Sequence, residues 1–210
     1  MSSPRVIGLT GGIAAGKSQV AALLRARGAA IVDADLVARE VVQPGQPAYH
    51  DIVNYFGTNV LHDDGSIDRK RLGAKVFTSP EARAALGRIT HPRIGAASQM
   101  HIAALARAGA NIVFYEAALL VENQLHRGLD ALIVVTTDDA TQLQRIMTRD
   151  GLSQVDAQAR IAAQLPQATK AALATWVIEN HGDLVNLAQR VAEVVTAIET
   201  AFGPLRTGPP

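Results

Sequence analysis

Short apolar runs alternate with helical periodicity at the start of the chain. Residues 6–10 form the run Val-Ile-Gly-Leu-Thr and stop at a glycine pair, which predicts a buried strand. From residue 17 the apolar positions recur with helical spacing up to Gly28, where a helix commonly ends. The run at 30–32 predicts a second buried strand. Strand, glycine-rich turn, helix and strand together form a βαβ unit, which builds parallel sheets.

The middle of the chain, residues 37–109, has a mainly helical pattern. Ser79, followed by proline and an early acid, predicts a helix start. His91, also followed by proline, predicts the start of another helix that runs to Gly109. We therefore expect a helical insertion into the sheet.

Strand signals return after residue 110. The predicted strands lie at 112–115, 132–135 and 176–178. The predicted helices run over 138–149, from Ser153 to the region before Pro166, and over 184–202. Five strands with helices between them indicate an α/β fold built on a parallel sheet.

Composition and net charge exclude several classes of partner and site for this protein. The chain has 210 residues, and its 20 basic and 19 acidic side chains leave a net charge of +1, so no general field attracts nucleic acid or an anionic membrane. Cysteine is absent, which excludes disulfides and thiolate metal sites. Neither a signal peptide nor an apolar run of ~20 residues is visible. We expect a cytoplasmic protein that holds any anion in a local site.

Residues 11–18, Gly-Gly-Ile-Ala-Ala-Gly-Lys-Ser, match the phosphate-loop pattern G-x-x-x-x-G-K-[ST] at every fixed position. Glycines let successive backbone N–H groups face inward as an anion nest, and the following helix adds its positive end. We expect the Lys17 ammonium to reach the β- and γ-phosphates of ATP and the Ser18 hydroxyl to ligate Mg²⁺. The predicted nucleotide contacts are Gly12, Ile13, Ala14, Ala15, Gly16, Lys17, Ser18 and Gln19, together with Arg149 farther along the chain.

Two carboxylates, Asp33 and Asp35, follow the second predicted strand. Ligands of open α/β sheets lie outside the carboxyl ends of strands, and side chains two apart in an extended segment face the same way. We therefore expect both to point toward the phosphate loop. Asp35 is the stronger candidate to accept a proton from an attacking hydroxyl or to hold a Mg²⁺-bound water. The alternative is a pair of capping and loop carboxylates.

Arg145 and Arg149 are four apart and share a helix face. Phosphoryl transfer needs positive charge near the γ-phosphate, and a mobile basic segment that closes over ATP supplies it. Arg145 is the first candidate for a catalytic arginine, and Arg149 is the second. The alternative for each is a solvated, salt-bridged helix face.

The remaining candidates are ambiguous. Glu116 and Glu122 follow the third strand and are either outer carboxylates of a magnesium site or surface acids. Arg69 either binds an acceptor phosphate or forms an ion pair at a helix N-terminus. The six histidines show no metal-ligand spacing.

Several blocks of the chain together resemble the dephospho-coenzyme A kinase family over about residues 5–200. These blocks are Leu-Thr-Gly-Gly-Ile at 9–13, Val-Asp-Ala-Asp at 32–35, Ala-Arg-Glu-Val-Val at 38–42, Asp-Gly at 64–65, Asp-Arg at 68–69, His-Pro at 91–92, Leu-Leu-Val-Glu at 119–122, Gln-Leu at 142–143, Arg145, Arg-Asp at 149–150, Arg-Ile at 160–161, Gln164, Val-Ile at 177–178, Asn180 and Gly182.

This resemblance implies that ATP phosphorylates the ribose 3′-hydroxyl of dephospho-coenzyme A, the last step of coenzyme A synthesis. It implies Asp35 as the catalytic carboxylate and Arg145 as a phosphate contact. With it, the expected substrate contacts are Thr10, Asp33, Asp35, Arg69, His91 and Glu122. The oligomeric state, monomer or small homo-oligomer, is left open.

The resemblance also implies a P-loop NTPase architecture with a three-layer α/β/α core and a five-stranded parallel sheet. We assign the nucleotide-binding core to 1–36, 110–148 and 171–203, a helical acceptor domain to 37–109, and a helical lid to 149–170. Residues 204–210 are expected to be a disordered tail.

One residue of the phosphate loop departs from the family pattern. Ala14 stands where the family usually has glycine. If that position requires a positive φ, alanine costs about 1 kcal/mol there. We expect the loop to survive because its other glycines remain.

Two other functions share the phosphate loop. The first is another small-molecule kinase, acting on a nucleoside monophosphate, gluconate or shikimate, and the Asp-Ala-Asp and His-Pro blocks speak against it. The second is a nucleotide-gated switch, and the guanine-reading sequence Asn-Lys-x-Asp of a GTPase is absent.

Overall fold

A computed structural model describes residues 3–206, and a five-stranded parallel sheet lies at its centre. The strands are β1 (Arg5–Gly11), β2 (Ala30–Asp33), β3 (Ile112–Glu116), β4 (Ala131–Thr136) and β5 (Trp176–Glu179). Their order across the sheet is β2-β3-β1-β4-β5. In the register, Leu9 of β1 is opposite Glu116 of β3 and Ile133 of β4. The predicted α/β fold with a five-stranded parallel sheet is confirmed.

The described chain divides into two compact units. The first unit contains the residues up to Val32 and those from Ala104 onward, and the second unit is Asp33–Ala103. The helices of the first unit are α1 (Lys17–Ala26), α6 (Asp139–Asp150), α7 (Gln154–Ala162), α8 (Gln167–Ala171) and α9 (Leu184–Phe202). The second unit has α2 (Ala34–Glu40), α3 (Pro47–Phe56), α4 (Arg69–Thr78) and most of α5 (Pro80–Arg107), which ends in the first unit.

The core of the first unit forms where the apolar runs of the central strands meet α1 and α9. Its fully buried members include Ile7, Leu9, Leu24, Phe114, Ile133, Val191 and Ile198. Each such side chain contributes about 1.5–3 kcal/mol through burial. A smaller cluster, made of Ile52, Phe56, Val60 and Leu72, holds α3 and α4 together in the second unit. The carboxyl end of β1, where the phosphate loop begins, is therefore anchored in a well-packed apolar core.

The expected helix start at His91 is wrong. Helix α5 runs without a break from Pro80 to Arg107 and contains Pro92 in its interior. Side-chain bonds stabilise the helix beside the proline, because Arg93 donates to the Ile89 carbonyl at 2.7 Å and pairs with Asp51 at 2.5 Å. The predicted start at Ser79 is confirmed, since its Oγ accepts the Ala82 N–H at 3.1 Å.

The expectation of a disordered tail is wrong for its first three residues. The Pro204 carbonyl accepts the Asn111 side-chain N–H at 3.0 Å, and Arg206 N–H donates back to Asn111 Oδ1 at 2.9 Å. Leu205 packs against the core of the first unit. Residues 207–210 of that expectation lie outside the described part of the chain. Within residues 3–206, no helix is both long and apolar enough to cross a membrane.

Candidate active site

The phosphate loop connects β1 to α1 and has the backbone shape of an anion nest. Ala14 has φ 58° and Gly16 has φ 94°, and Ala15 N–H closes a turn onto the Gly12 carbonyl at 3.0 Å. Left-handed residues placed between right-handed ones turn successive N–H groups toward one side. Among the described residues, no acceptor is found for the N–H groups of Ala14, Gly16, Lys17 and Ser18. Four free donors at the N-terminus of a ten-residue helix can bind a phosphate.

The backbone of Ala14 has the left-handed conformation that disfavours alanine. Its φ of 58° confirms that the position is left-handed, which costs an alanine about 1–2 kcal/mol relative to a right-handed conformation. The loop retains its turn despite that cost, as expected. The surrounding contacts therefore hold Ala14 in a strained conformation.

Asn180 is one source of that support, and its role was not recognised in the sequence. Its Nδ2 donates to the Ala15 carbonyl at 2.8 Å and to Gln19 Oε1 at 3.2 Å, while the residue is only 3% exposed. A Cβ added to Gly16 would overlap that Nδ2 atom. Gly16 is thus required both by its positive φ and by the close approach of Asn180.

Lys17, the loop lysine, is bound to a buried carboxylate. Its Nζ lies 2.8 Å from Glu116 Oε1, and Arg25 reaches the other oxygen of Glu116 at 3.2 Å. The Glu116 side chain is 3% exposed, so a partner is needed to offset the cost of burying its charge. Of the two sequence alternatives for Glu116, the surface acid is therefore wrong. Its place beside Lys17, at the end of β3, agrees with the outer-carboxylate alternative.

Arg145 and Arg149 have different surroundings, although one turn of α6 separates them. Arg145 donates to the Ala14 carbonyl at 3.4 Å and to the Asn180 carbonyl at 3.3 Å. In the described part of the chain no carboxylate forms a salt bridge with Arg145. Its charge therefore remains available for an anion beside the phosphate loop.

The charge of Arg149 is instead paired within the chain. Its guanidinium contacts Asp150 at 2.8 Å, and Arg160 contacts the second oxygen of the same carboxylate at 2.8 Å. The hydrogen bond from Arg149, together with the nearby charge of Arg160, lowers the pKa of Asp150 below its ordinary value. A nucleotide contact by Arg149 stays a prediction, and it requires Arg149 to share or leave Asp150.

Three glutamines surround the phosphate loop, and no role was predicted for them. Gln164 accepts the Ile13 N–H and Gln142 donates to the Ile13 carbonyl, at 2.8 Å each. Gln167 binds Gln142 at 3.1 Å. The available signal was the position of Gln142 and Gln164 in blocks that resemble the family, but spacing alone gave no reason to aim an amide at the loop.

The second unit holds Asp33 and Asp35, and they differ in role. Asp33 ends β2 and caps α2, because its Oδ1 accepts the N–H of Asp35 at 2.8 Å and of Leu36 at 3.2 Å. Asp35 lies in the first turn of α2, so the assumption that both stand on an extended segment is wrong. Asp33 thus acts as a helix cap, and the substrate contact expected of it stays a prediction. The Asp35 carboxylate is exposed and accepts no hydrogen bond from any described residue, which leaves it available for a substrate.

The Arg69 side chain, which forms no hydrogen bond or ion pair with the described residues, is likewise available to bind a substrate. Asp68 caps α4 and pairs with Arg71 at 3.1 Å, so the expected alternative of an ion pair involves Arg71 and not Arg69. Arg69 and Lys70 line a pocket together with His62. His91 is exposed on α5, and no hydrogen bond or ion pair joins its ring to another residue between 3 and 206. The substrate contacts expected of Arg69 and His91 stay predictions.

Thr10 and Glu122, two further expected substrate contacts, are bound within the first unit. Thr10 is fully buried and donates to the Ala118 carbonyl at 3.1 Å. Glu122 lies 2.6 Å from the ammonium of the fully buried Lys170, and it accepts the Leu165 N–H at 3.3 Å. Both side chains tie the turn after β3 to its neighbours, and their contact with a substrate stays a prediction.

Ser18 is the predicted ligand of a magnesium ion. It is exposed in the first turn of α1, and its hydroxyl makes no hydrogen bond to the described residues. Between residues 3 and 206 no cluster of three His, Cys, Asp or Glu side chains could hold a metal. Mg²⁺ commonly uses one or two protein oxygens and completes its shell with phosphate oxygens and water. A single free hydroxyl beside a phosphate nest fits that requirement.

Comparisons with known proteins agree on one family. The family model for dephospho-CoA kinase matches residues 5–186. A curated dephospho-CoA kinase from Anaeromyxobacter dehalogenans is 53% identical over 178 residues, which cover 85% of this chain and 84% of that protein. A crystallised protein from Thermus thermophilus is 32% identical with a TM-score of 0.81, covering 94% and 98% of the two chains. The dephospho-CoA kinase from Campylobacter jejuni is 29% identical with a TM-score of 0.71, covering 93% and 98%.

Proposed function

The chain belongs to the dephospho-CoA kinase family, and from that premise we propose that it transfers the γ-phosphate of ATP to the ribose 3′-hydroxyl of dephospho-CoA. ATP-dependent phosphorylation of dephospho-CoA, a step of coenzyme A biosynthesis, follows from the family itself. The position of the new phosphate and the residues that act are inferred from the chemistry of the two units.

The nucleotide phosphates bind to the free N–H groups of the loop and to Lys17. Lys17 exchanges its contact with Glu116 for phosphate oxygens, or shares the two, while Arg25 stays with Glu116. The Ser18 hydroxyl would contribute one ligand to a bound Mg²⁺, which would supply positive charge to offset that of the transferred group.

Transfer forms a bond between the acceptor oxygen and the γ-phosphorus and breaks the bond from that phosphorus to the β,γ-bridging oxygen. ADP leaves with that oxygen. The acceptor hydroxyl must lose its proton, and the exposed carboxylate of Asp35 is the proposed acceptor or hydroxyl-orienting group. Arg69 and Lys70, beside their pocket in the second unit, are proposed to hold the diphosphate of dephospho-CoA.

Arg145 stabilises the charge that moves onto the bridging oxygen and the transferred group. The observation that carries the proposed function is the unpaired Arg145 guanidinium beside a phosphate loop with four free N–H donors. A positive group fixed at that place is the main requirement of phosphoryl transfer, which involves little covalent chemistry by the protein. Residues 149–170 are proposed to act as the lid.

The position of the transferred phosphate is tested on the product. Purified protein is incubated with ATP, Mg²⁺ and dephospho-CoA, and the product is analysed by ³¹P NMR and by treatment with a 3′-specific nucleotidase. We expect one new monoester phosphate that the nucleotidase removes. A product that resists the nucleotidase would place the phosphate elsewhere and overturn the proposed regiochemistry.

A further inference from the structure

Both backbone polar groups of Ile13, its N–H and its carbonyl, are bound by glutamine side chains. Its N–H donates to Gln164 Oε1 at 2.8 Å, and its carbonyl accepts from Gln142 Nε2 at 2.8 Å. Ile13 lies inside the phosphate loop, directly before the left-handed Ala14. The orientations of the two peptide groups on either side of the Ile13 Cα therefore depend on two side chains that are far away in sequence.

A third glutamine connects this contact to the end of β4. Gln167 Oε1 accepts the Thr137 N–H at 3.0 Å, and Gln167 Nε2 donates to the Thr137 carbonyl at 2.9 Å and to Gln142 Oε1 at 3.1 Å. Because a backbone N–H only donates and a carbonyl only accepts, Thr137 fixes which way the Gln167 amide is turned. Since Gln142 Oε1 accepts from Gln167, the Gln142 amide is fixed as well, and its Nε2 faces the Ile13 carbonyl.

The network is packed tightly against the loop. Gln142 is 2% exposed, and a Cβ added to Gly12 would lie 2.9 Å from Gln142 Nε2 and 3.3 Å from Gln167 Cγ. A buried amide with all its partners in place is costly to disturb. The loop is consequently not held by its own glycines alone.

Gln164 lies just after α7 in the sequence, so the network also connects that helix to the phosphate loop. Gln164 follows α7 by two residues and precedes Pro166, the N-cap of α8, by two. Gln167 lies at the start of α8, and it is bound to Gln142 and to Thr137 directly after β4. Gln164 is thus the member of the network through which a movement of α7 would reach the phosphate loop.

We propose that Gln164 is a positioning residue that couples α7 to the phosphate loop through the Ile13 N–H, with Gln142 and Gln167 fixing the next peptide group through the Ile13 carbonyl. When ATP phosphates occupy the loop, they fix the backbone at Ile13, and Gln164 transmits that change to α7. This coupling rests on the proposed function only as far as ATP binding to the loop is concerned, and it does not depend on the identity of the acceptor.

The test compares amide hydrogen exchange in the wild type and in Gln164→Leu, with Gln164→Ala as a second variant should the first fail to fold. In ligand-free protein, loss of one net hydrogen bond should speed exchange of the phosphate-loop peptide by about fivefold to tenfold. A saturating non-hydrolysable ATP analogue should slow exchange in residues 152–163 of the wild type and leave it unchanged in the variant. Gln144→Leu, which alters an exposed residue of α6, serves as the control and should behave as wild type.

Gln164→Glu and Gln142→Glu distinguish loss of the hydrogen bond between Gln164 and the Ile13 N–H from a general disruption of the fold. The Ile13 N–H needs an acceptor, so glutamate at 164 should preserve protection of the ligand-free loop. The Ile13 carbonyl needs a donor, so glutamate at 142 should lose that protection. The coupling is overturned if residues 152–163 respond to the analogue equally in Gln164→Leu and the wild type, or if both glutamate variants behave alike. Because the analogue is bound without any acceptor, a failure here is distinct from a failure to phosphorylate dephospho-CoA.

Discussion

Lys17 Nζ and Glu116 Oε1 lie 2.8 Å apart, and the carboxylate of this pair is almost completely buried. A phosphate-loop lysine in this position is pre-oriented, because the pair fixes a long side chain that would otherwise lose rotamer entropy on binding ATP. Arg25, at 3.2 Å, gives Glu116 a second partner. The lysine can therefore turn to a phosphate without leaving a buried charge unpaired.

Removal of the Lys17 ammonium tests this relationship. We predict that Lys17→Ala lowers kcat/KM by at least about 10²–10³-fold, the range found when one charge-stabilising donor is lost. The fold should persist because Arg25 remains with Glu116, and circular dichroism with thermal unfolding checks this. Arg25→Ala is the matched comparison, since it removes the other partner of Glu116 but leaves the loop ammonium in place, and it should lower kcat/KM less than Lys17→Ala does. An active Lys17→Ala protein would contradict the assignment.

Asp33 and Asp35 should separate into a structural and a chemical carboxylate. Asp33 caps α2, so Asp33→Ala should lower the free energy of unfolding by about 1 kcal/mol. Asp35 is free and exposed, so Asp35→Asn should lower kcat by about 10²-fold or more while the Kd for ATP and the thermal stability stay as in the wild type. Steady-state kinetics, calorimetric ATP binding and thermal melts measure the three quantities. Unchanged kcat in Asp35→Asn would remove Asp35 from the mechanism.

Arg145 should matter more than Arg149, because Asp150 neutralises only the second. We predict that Arg145→Ala lowers kcat by about 10²–10³-fold and that Arg149→Ala causes a clearly smaller loss. Arg145→Lys should recover little, since an ammonium cannot reproduce the two contacts of the planar guanidinium. Arg107→Ala, at an exposed site on α5, is the control for loss of a positive charge. A larger loss in Arg149→Ala than in Arg145→Ala would reverse the assignment.

The strain at Ala14 can be measured directly. Ala14→Gly removes a left-handed cost of about 1–2 kcal/mol and adds about 0.4–1 kcal/mol of unfolded-chain entropy. We therefore predict that the free energy of unfolding rises by up to about 1.5 kcal/mol. Ala103→Gly, inside α5, should instead lose about 1 kcal/mol. Urea unfolding of both variants decides the matter, and a loss of more than about 1 kcal/mol in Ala14→Gly would show that the methyl group is needed.

The sequence predicted those parts of the molecule that short-range chemistry determines. Apolar runs identified all five strands, and the loop pattern identified a nest whose φ values confirm it. Ser153 was expected to cap a helix, and its Oγ accepts the Asp156 N–H at 3.2 Å. Each of these features depends on residues within a few positions of one another.

Features that depend on contacts distant in sequence were not predictable in the same way. The bond from Asn180 to Ala15 spans 165 positions, and the bond from Gln164 to Ile13 spans 151. The periodicity of a sequence does not indicate which distant backbone group a side-chain amide will bind. The unbroken α5 was missed for a related reason, because the support of Pro92 comes partly from Asp51 on another helix.

The most direct test of the account is ADP formation by the purified protein with ATP and Mg²⁺, measured with dephospho-CoA and, in parallel, with AMP, gluconate and shikimate. A kinase of this family should turn over ATP rapidly with dephospho-CoA and at background rates with the other three. Equal or faster turnover with another acceptor, or no stimulation by dephospho-CoA, would contradict it.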